Sequence, residues 1–130
     1  MVDLCARLQD VNAAGAYRLN CPPDELRTAT AHAGFALFEV DMAAVQGKDE
    51  FIAAVAQAIH APEWFGHNWD ALADALADLS WHPAPGYVLL LHSGGETLGL
   101  STGEHATAAE IFVCTTSFWK LQGKPFWVFY

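Results

Sequence analysis

Residues 86–93, GYVLLLHS, run from Tyr87 to Leu91 without a single charged side chain. Such a run leaves no face for water, so it suits a strand buried inside a sheet with helices packed against it. Residues 35–42, FALFEVDM, and the closing KPFWVFY, 124–130, have the same character, and AGAYRLN at 14–20 is a further candidate strand. Between these runs the period changes. PPDELRTATAHAG opens with proline and acids, as a helix does, and ends at Gly34, where one should stop. KDEFIAAVAQAIHA carries Phe51, Ile52, Val55 and Ile59 at helical spacing. Asn68 is placed to cap a third helix, whose Trp69, Leu72, Leu76 and Leu79 form an apolar stripe. After a glycine-rich loop reaching about residue 104, HATAAEIFVCTTSFWKLQG reads as largely helical. Helical crossovers between apolar strands predict an α/β fold: a small, mainly parallel sheet of three to four strands packed with helices.

With 130 residues, 53% of them apolar, the chain suits one domain, 1–130, burying about two-thirds of its unfolded surface. No apolar run approaches the roughly 20 residues of a membrane helix, and MVDLCARLQD lacks the basic start and apolar stretch of a secretion signal, so a cytoplasmic protein is expected. Cys5, Cys21 and Cys114 have no short-range pairing, which suggests reduced, mostly buried thiols rather than disulfides or a zinc knuckle. Trp81, Trp119 and Trp127 are expected in the core.

Net charge is −9, and its distribution is uneven. Between Lys48 and Lys120 lie nine acids and no lysine or arginine, while the rest of the chain has six acids and six bases. A field of that sign repels phosphates and attracts cationic surfaces, which argues against direct nucleic-acid binding. The acids concentrate in EWFGHNWDALADALADL, residues 63–79, where Asp70, Asp74 and Asp78 recur every fourth residue on one helical face. Like charges at that spacing cost roughly 0.2–0.5 kcal/mol per pair, and only Asp70, in the first turn, gains clearly from the helix dipole. A lysine at position 73 or 77 would relieve the repulsion, but both positions are alanine. Trp64 and Phe65 precede the acids, with Gly66 available for a tight turn. Aromatic anchors beside unpaired acids predict a binding surface for something basic.

PEWFGHNWDALADAL resembles the signature of the barstar family of ribonuclease inhibitors: an aromatic pair, Gly, any residue, Asn, any residue, then Asp-Ala-Leu and a second Asp four residues after the first. Pro62, Glu63, Gly66, Asn68, Asp70, Ala71, Leu72, Asp74 and Leu76 match it in order without a gap. The resemblance extends over about residues 35–130 and makes 1–34 an added N-terminal βα unit. It implies a non-enzymatic protein that plugs the active site of a basic ribonuclease, or of a related toxin nuclease. Asp74 would occupy the phosphate subsite facing catalytic Arg and His residues, Asp70 would bind a neighbouring basic group, and Trp64 and Phe65 would pack over the enzyme. Gly66, His67, Asn68, Ala73 and Asp78 would complete the surface. Ala73 stands where the family prototype has a tryptophan, and Phe118 falls where it has a further interface acid. No cofactor or membrane is implied, and the protein is expected to act as a monomer.

Two other functional classes can be framed. His67, Asp70 and Asp74 are potential ligands for a divalent metal, as in a small hydrolase. The aromatic side chains are potential contacts of a self-associating structural protein. GGETLGLS has the Gly94 to Gly99 spacing of a phosphate loop, but Leu100 replaces the lysine and Glu96 repels phosphate, so an ordinary loop is expected. No Ser, His and Asp set or Cys and His pair can be assembled for nucleophilic catalysis.

Overall fold

A computed structural model describes residues 7–19, 21–62, 66–95 and 97–130. In chain order its elements are β1 (Ala16–Tyr17), α1 (Pro23–Ala33), β2 (Ala36–Asp41), α2 (Lys48–Ala58), α3 (Trp69–Asp78), β3 (Tyr87–His92), α4 (Thr102–Leu121) and β4 (Phe126–Phe129). The four strands form one sheet in the order β1-β4-β3-β2, and every pairing is parallel.

Strand alternation explains why the central runs are apolar throughout. Tyr87, Leu89 and Leu91 of β3, with Phe126 and Val128 of β4, enter a core built with Phe51, Ile52 and Val55 of α2, Leu72 and Leu76 of α3, and Phe112 and Trp119 of α4. Val88 and Leu90, with Trp127 and Phe129, turn to the opposite face and meet Leu8, Ala14, and Leu26 and Ala29 of α1. The sheet is thus covered on both sides, and residues 8–29 provide the second cover. Buried indoles find acceptors at once: Trp127 Nε1 donates to the Leu8 carbonyl at 3.0 Å and Trp119 Nε1 to that of Leu76 at 2.8 Å. Trp81, expected in the core, is half-buried against it, with Nε1 donating to the Ile59 carbonyl at 2.8 Å.

Boundaries follow local chemistry. α1 ends at Gly34, whose left-handed φ of 75° is that of a helix-ending glycine. The 14–20 strand reduces to Ala16–Tyr17 by pairing, although backbone bonds to Val128 and Tyr130 span Gly15 to Leu19. α4 starts at Thr102, before the expected residue 105, because Ser101 and Glu104 exchange hydrogen bonds in a capping box. The expectation of buried thiols is corrected where the structure describes them: Cys114 is exposed and Cys21 half-buried, neither belonging to the two cores, while Cys5 lies outside the described residues. Gly94 and Gly99 of the loop after β3 serve packing. A Cβ at Gly99 would collide with the Val45 carbonyl, and Gly47 N–H donates to the Gly99 carbonyl at 2.9 Å, fastening the loop onto the turn after β2.

An ion-pair cluster fastens α1 to its face of the sheet. Arg27 donates to Glu39 of β2 through Nε at 3.0 Å and Nη2 at 2.7 Å, and also binds Asp24, while His92 Nε2 of β3 lies 3.7 Å from Glu39. Hydrogen bonding from Arg27 holds the Glu39 carboxylate below its ordinary value of 4.5, against the opposing effect of burial. A lowered folded pKa means this contribution to stability is complete above the unfolded value and is lost as pH falls through the lower, folded one. Urea melts of Glu39→Gln are therefore expected to lose less stability between about pH 7 and about pH 3 than the parent does. Equal acid slopes would show that the cluster contributes nothing to folding.

Candidate functional site

The acidic helix α3 is held by one face and presents the other. Asn68 supplies the N-cap that its side chain suits: Oδ1 accepts from Ala71 N–H at 2.7 Å, and Nδ2 donates to the Gly66 carbonyl at 3.2 Å. Leu72, Ala75 and Leu76 have no measurable exposure, and half-buried Trp69 leans on Phe51 with ring centroids 5.9 Å apart. From behind, α4 contributes the Trp119 bond to the Leu76 carbonyl. At the far end Leu79 takes a left-handed φ of 49°, which a β-carbon disfavours, and it stays there because its side chain is buried in the core.

Asp70, Asp74 and Asp78 all point into solvent, as the periodicity requires. Among the described residues none of the three forms an ion pair. Three carboxylates are therefore fixed on a rigid backbone by burial of the opposite face, with their mutual repulsion unrelieved. Ala73 and Ala77 between them are partly buried and too small to shield them.

The approach to the helix differs from expectation in one respect. Gly66 does not provide the left-handed turn; His67 does, at a φ of 50°, and a Cβ at Gly66 would meet its neighbours only at ordinary contact distances. The cap geometry of Asn68 sets this, since a side chain that bonds both forward to Ala71 and back to Gly66 fixes the intervening residue. Trp64 and Phe65, with Glu63, lie outside the described residues. The metal-site reading gains nothing: among the described residues no group of three His, Cys, Asp or Glu side chains is placed to hold an ion, so His67, Asp70 and Asp74 do not form a ligand set. The described helices include none long and apolar enough to cross a membrane.

A family model described as Barstar (barnase inhibitor) matches residues 35–130, from the start of β2 through α3 to the end of β4. The chain belongs to the barstar family. The order of elements expected from that resemblance, strand, helix, helix, strand, helix, strand, is the observed succession from β2 to β4. The barstar family is one of inhibitors rather than enzymes. No curated protein matches the chain. One contribution went unread in the sequence: Trp119, expected simply as core, also clamps the α3 backbone. Only the long-range packing of α4 on α3 reveals it. Phe118, at the place where the barstar pattern has another acid, is exposed and lies edge-on to Trp119 with centroids 5.3 Å apart.

Proposed function

We propose that the protein inhibits a basic ribonuclease, or a related toxin nuclease, by seating α3 and the loop before it in the enzyme's active site. The observation that carries this reading is the exposed row Asp70, Asp74 and Asp78, rigidly backed and without counter-ions among the described residues, in a chain of the barstar family. Asp74, central in the row, takes the place of a substrate phosphate among the enzyme's catalytic cations, and Asp70 binds an adjacent basic group. Trp64 and Phe65 pack over the enzyme surface. Gly66, His67, Asn68, Ala73 and Asp78 frame the contact. A carboxylate carries the charge of the phosphate it replaces but offers no bond to cleave, so the plug binds without turning over.

Charge then governs how the partners meet. Association with a small basic ribonuclease of barnase type, followed by stopped-flow mixing across a salt series, should slow steeply as ionic strength rises, because charges separated by more than about 8–10 Å are screened at physiological salt. Inhibition with an on-rate indifferent to salt would show that the aromatic loop, and not the aspartates, finds the enzyme. Failure to inhibit any basic nuclease would remove the reading altogether.

A further inference from the structure

Away from α3, the carboxyl ends of the strands enclose a crevice of about 370 Å³, lined by Arg18, Leu19, His92, Ser93, Gly95 and Tyr130 among others. Its position follows from topology. The chain leaves β1 toward α1 on one face of the sheet and leaves β3 toward α4 on the other, while β4, between them, ends at Phe129. Loops that diverge to opposite faces part above the strand between them, and in parallel α/β sheets such a switch point is where ligands settle.

The β3 loop has the backbone of an anion receptor. Ser93 has a φ of +67° and Gly95 of +62°, while Gly94 between them is not left-handed. Alternating handedness along consecutive residues turns their N–H groups into one concavity, which favours an anion. Among the described residues nothing accepts from the N–H of Gly94 or Gly95. The conformation is also held in place. A Cβ on Gly94 would stand 2.8 Å from Met42 Cβ, so the loop lies tight against the end of β2, and non-glycine Ser93 keeps a disfavoured φ.

Arg18, an exposed residue, lines the same crevice and brings a positive charge to it; it already has an interaction within the fold, which a bound anion would share or displace. His92 is turned to Glu39 and contributes its ring rather than a free charge. Leu19 and Tyr130, both only partly covered by the fold, complete the lining and bring apolar surface to it. We propose that, in place of the ordinary loop expected from Leu100 and Glu96, this crevice binds a small organic anion, a carboxylate or phosphate monoester with an apolar body, whose charged end meets the Ser93–Gly95 amides and Arg18 strongly enough to outweigh the neighbouring acid. The site is separate from the acidic helix and does not depend on nuclease inhibition.

Phenyl phosphate is a suitable probe, titrated into the full chain and followed by amide NMR shifts. Saturable shifts are expected at Ser93, Gly94 and Gly95 while the α3 amides stay still, with binding weakened at least about tenfold in Arg18→Gln. Leu19→Trp, which fills the apolar part of the crevice and leaves the guanidinium in place, should also abolish saturation, so a folding defect in either variant leaves the other to decide. Benzoate in place of phenyl phosphate distinguishes a carboxylate site from a phosphate site, and inorganic phosphate alone should bind more weakly than either. Shifts that are absent, that fall on α3, or that persist unchanged in both variants would overturn the proposal.

Discussion

Asp74→Ala is expected to weaken inhibition of the cognate nuclease by more than about 30-fold without lowering the melting temperature. In the free protein the carboxylate is exposed and, among the described residues, forms no ion pair that the fold would lose. In the proposed complex it is enclosed by cationic catalytic groups. Deleting it leaves those groups desolvated and unpaired, a loss above about 2 kcal/mol, and at tenfold per 1.4 kcal/mol this gives the stated factor. The change should fall mainly on the dissociation rate, since long-range steering still operates through Asp70 and Asp78. Asp74→Asn, which keeps the shape but not the charge, should fail in the same way. Stability should hold or rise in both variants, because Asp70 and Asp78 each lose a like-charged neighbour. Titration of nuclease activity with parent and variants, beside a melt of each, measures both effects. Full inhibition by Asp74→Ala would refute the plug.

The opposite face of the same helix should show the opposite behaviour. Leu72→Ala or Leu76→Ala is expected to cost about 2–5 kcal/mol of stability, through lost burial and the cavity left behind. Both side chains are fully buried where α3 meets the main core, and Leu76 also carries the carbonyl that accepts from Trp119. Asp78→Lys, on the exposed side near the C-terminal end of α3, should leave stability unchanged or slightly higher, since it removes a repulsion and suits the helix dipole. Urea melts separate the three variants. A Leu72→Ala protein that unfolds with the parent would mean that the leucine face does not anchor the helix, and the rigid display of the aspartates would lose its basis.

These two faces were legible in the sequence because one-dimensional spacing decides them: residues that recur at helical intervals must share a side, so leucines inward places aspartates outward. The Asn68 cap, the Gly34 stop and the parallel, buried character of β2, β3 and β4 rest on equally local chemistry. The capping box at Ser101 is equally local, but it lies inside the glycine-rich stretch whose composition reads as a loop up to about residue 104. Other features have no local signal. That β4 sits between β1 and β3, and that Trp127 and Phe129 are covered by the segment containing Leu8 and Leu26, depends on contacts between residues far apart in the chain. That His67 rather than Gly66 turns left-handed depends on a cap that bonds in two directions. Gly94 and Gly99 read as half of a phosphate motif, yet it is the nearness of Met42 and Val45 that requires them to be glycine. Periodicity thus fixed which side of each element meets the core, while the order of strands decided which loops part at the carboxyl ends, because pairing between distant segments depends on the packing of the whole chain rather than on any spacing within one.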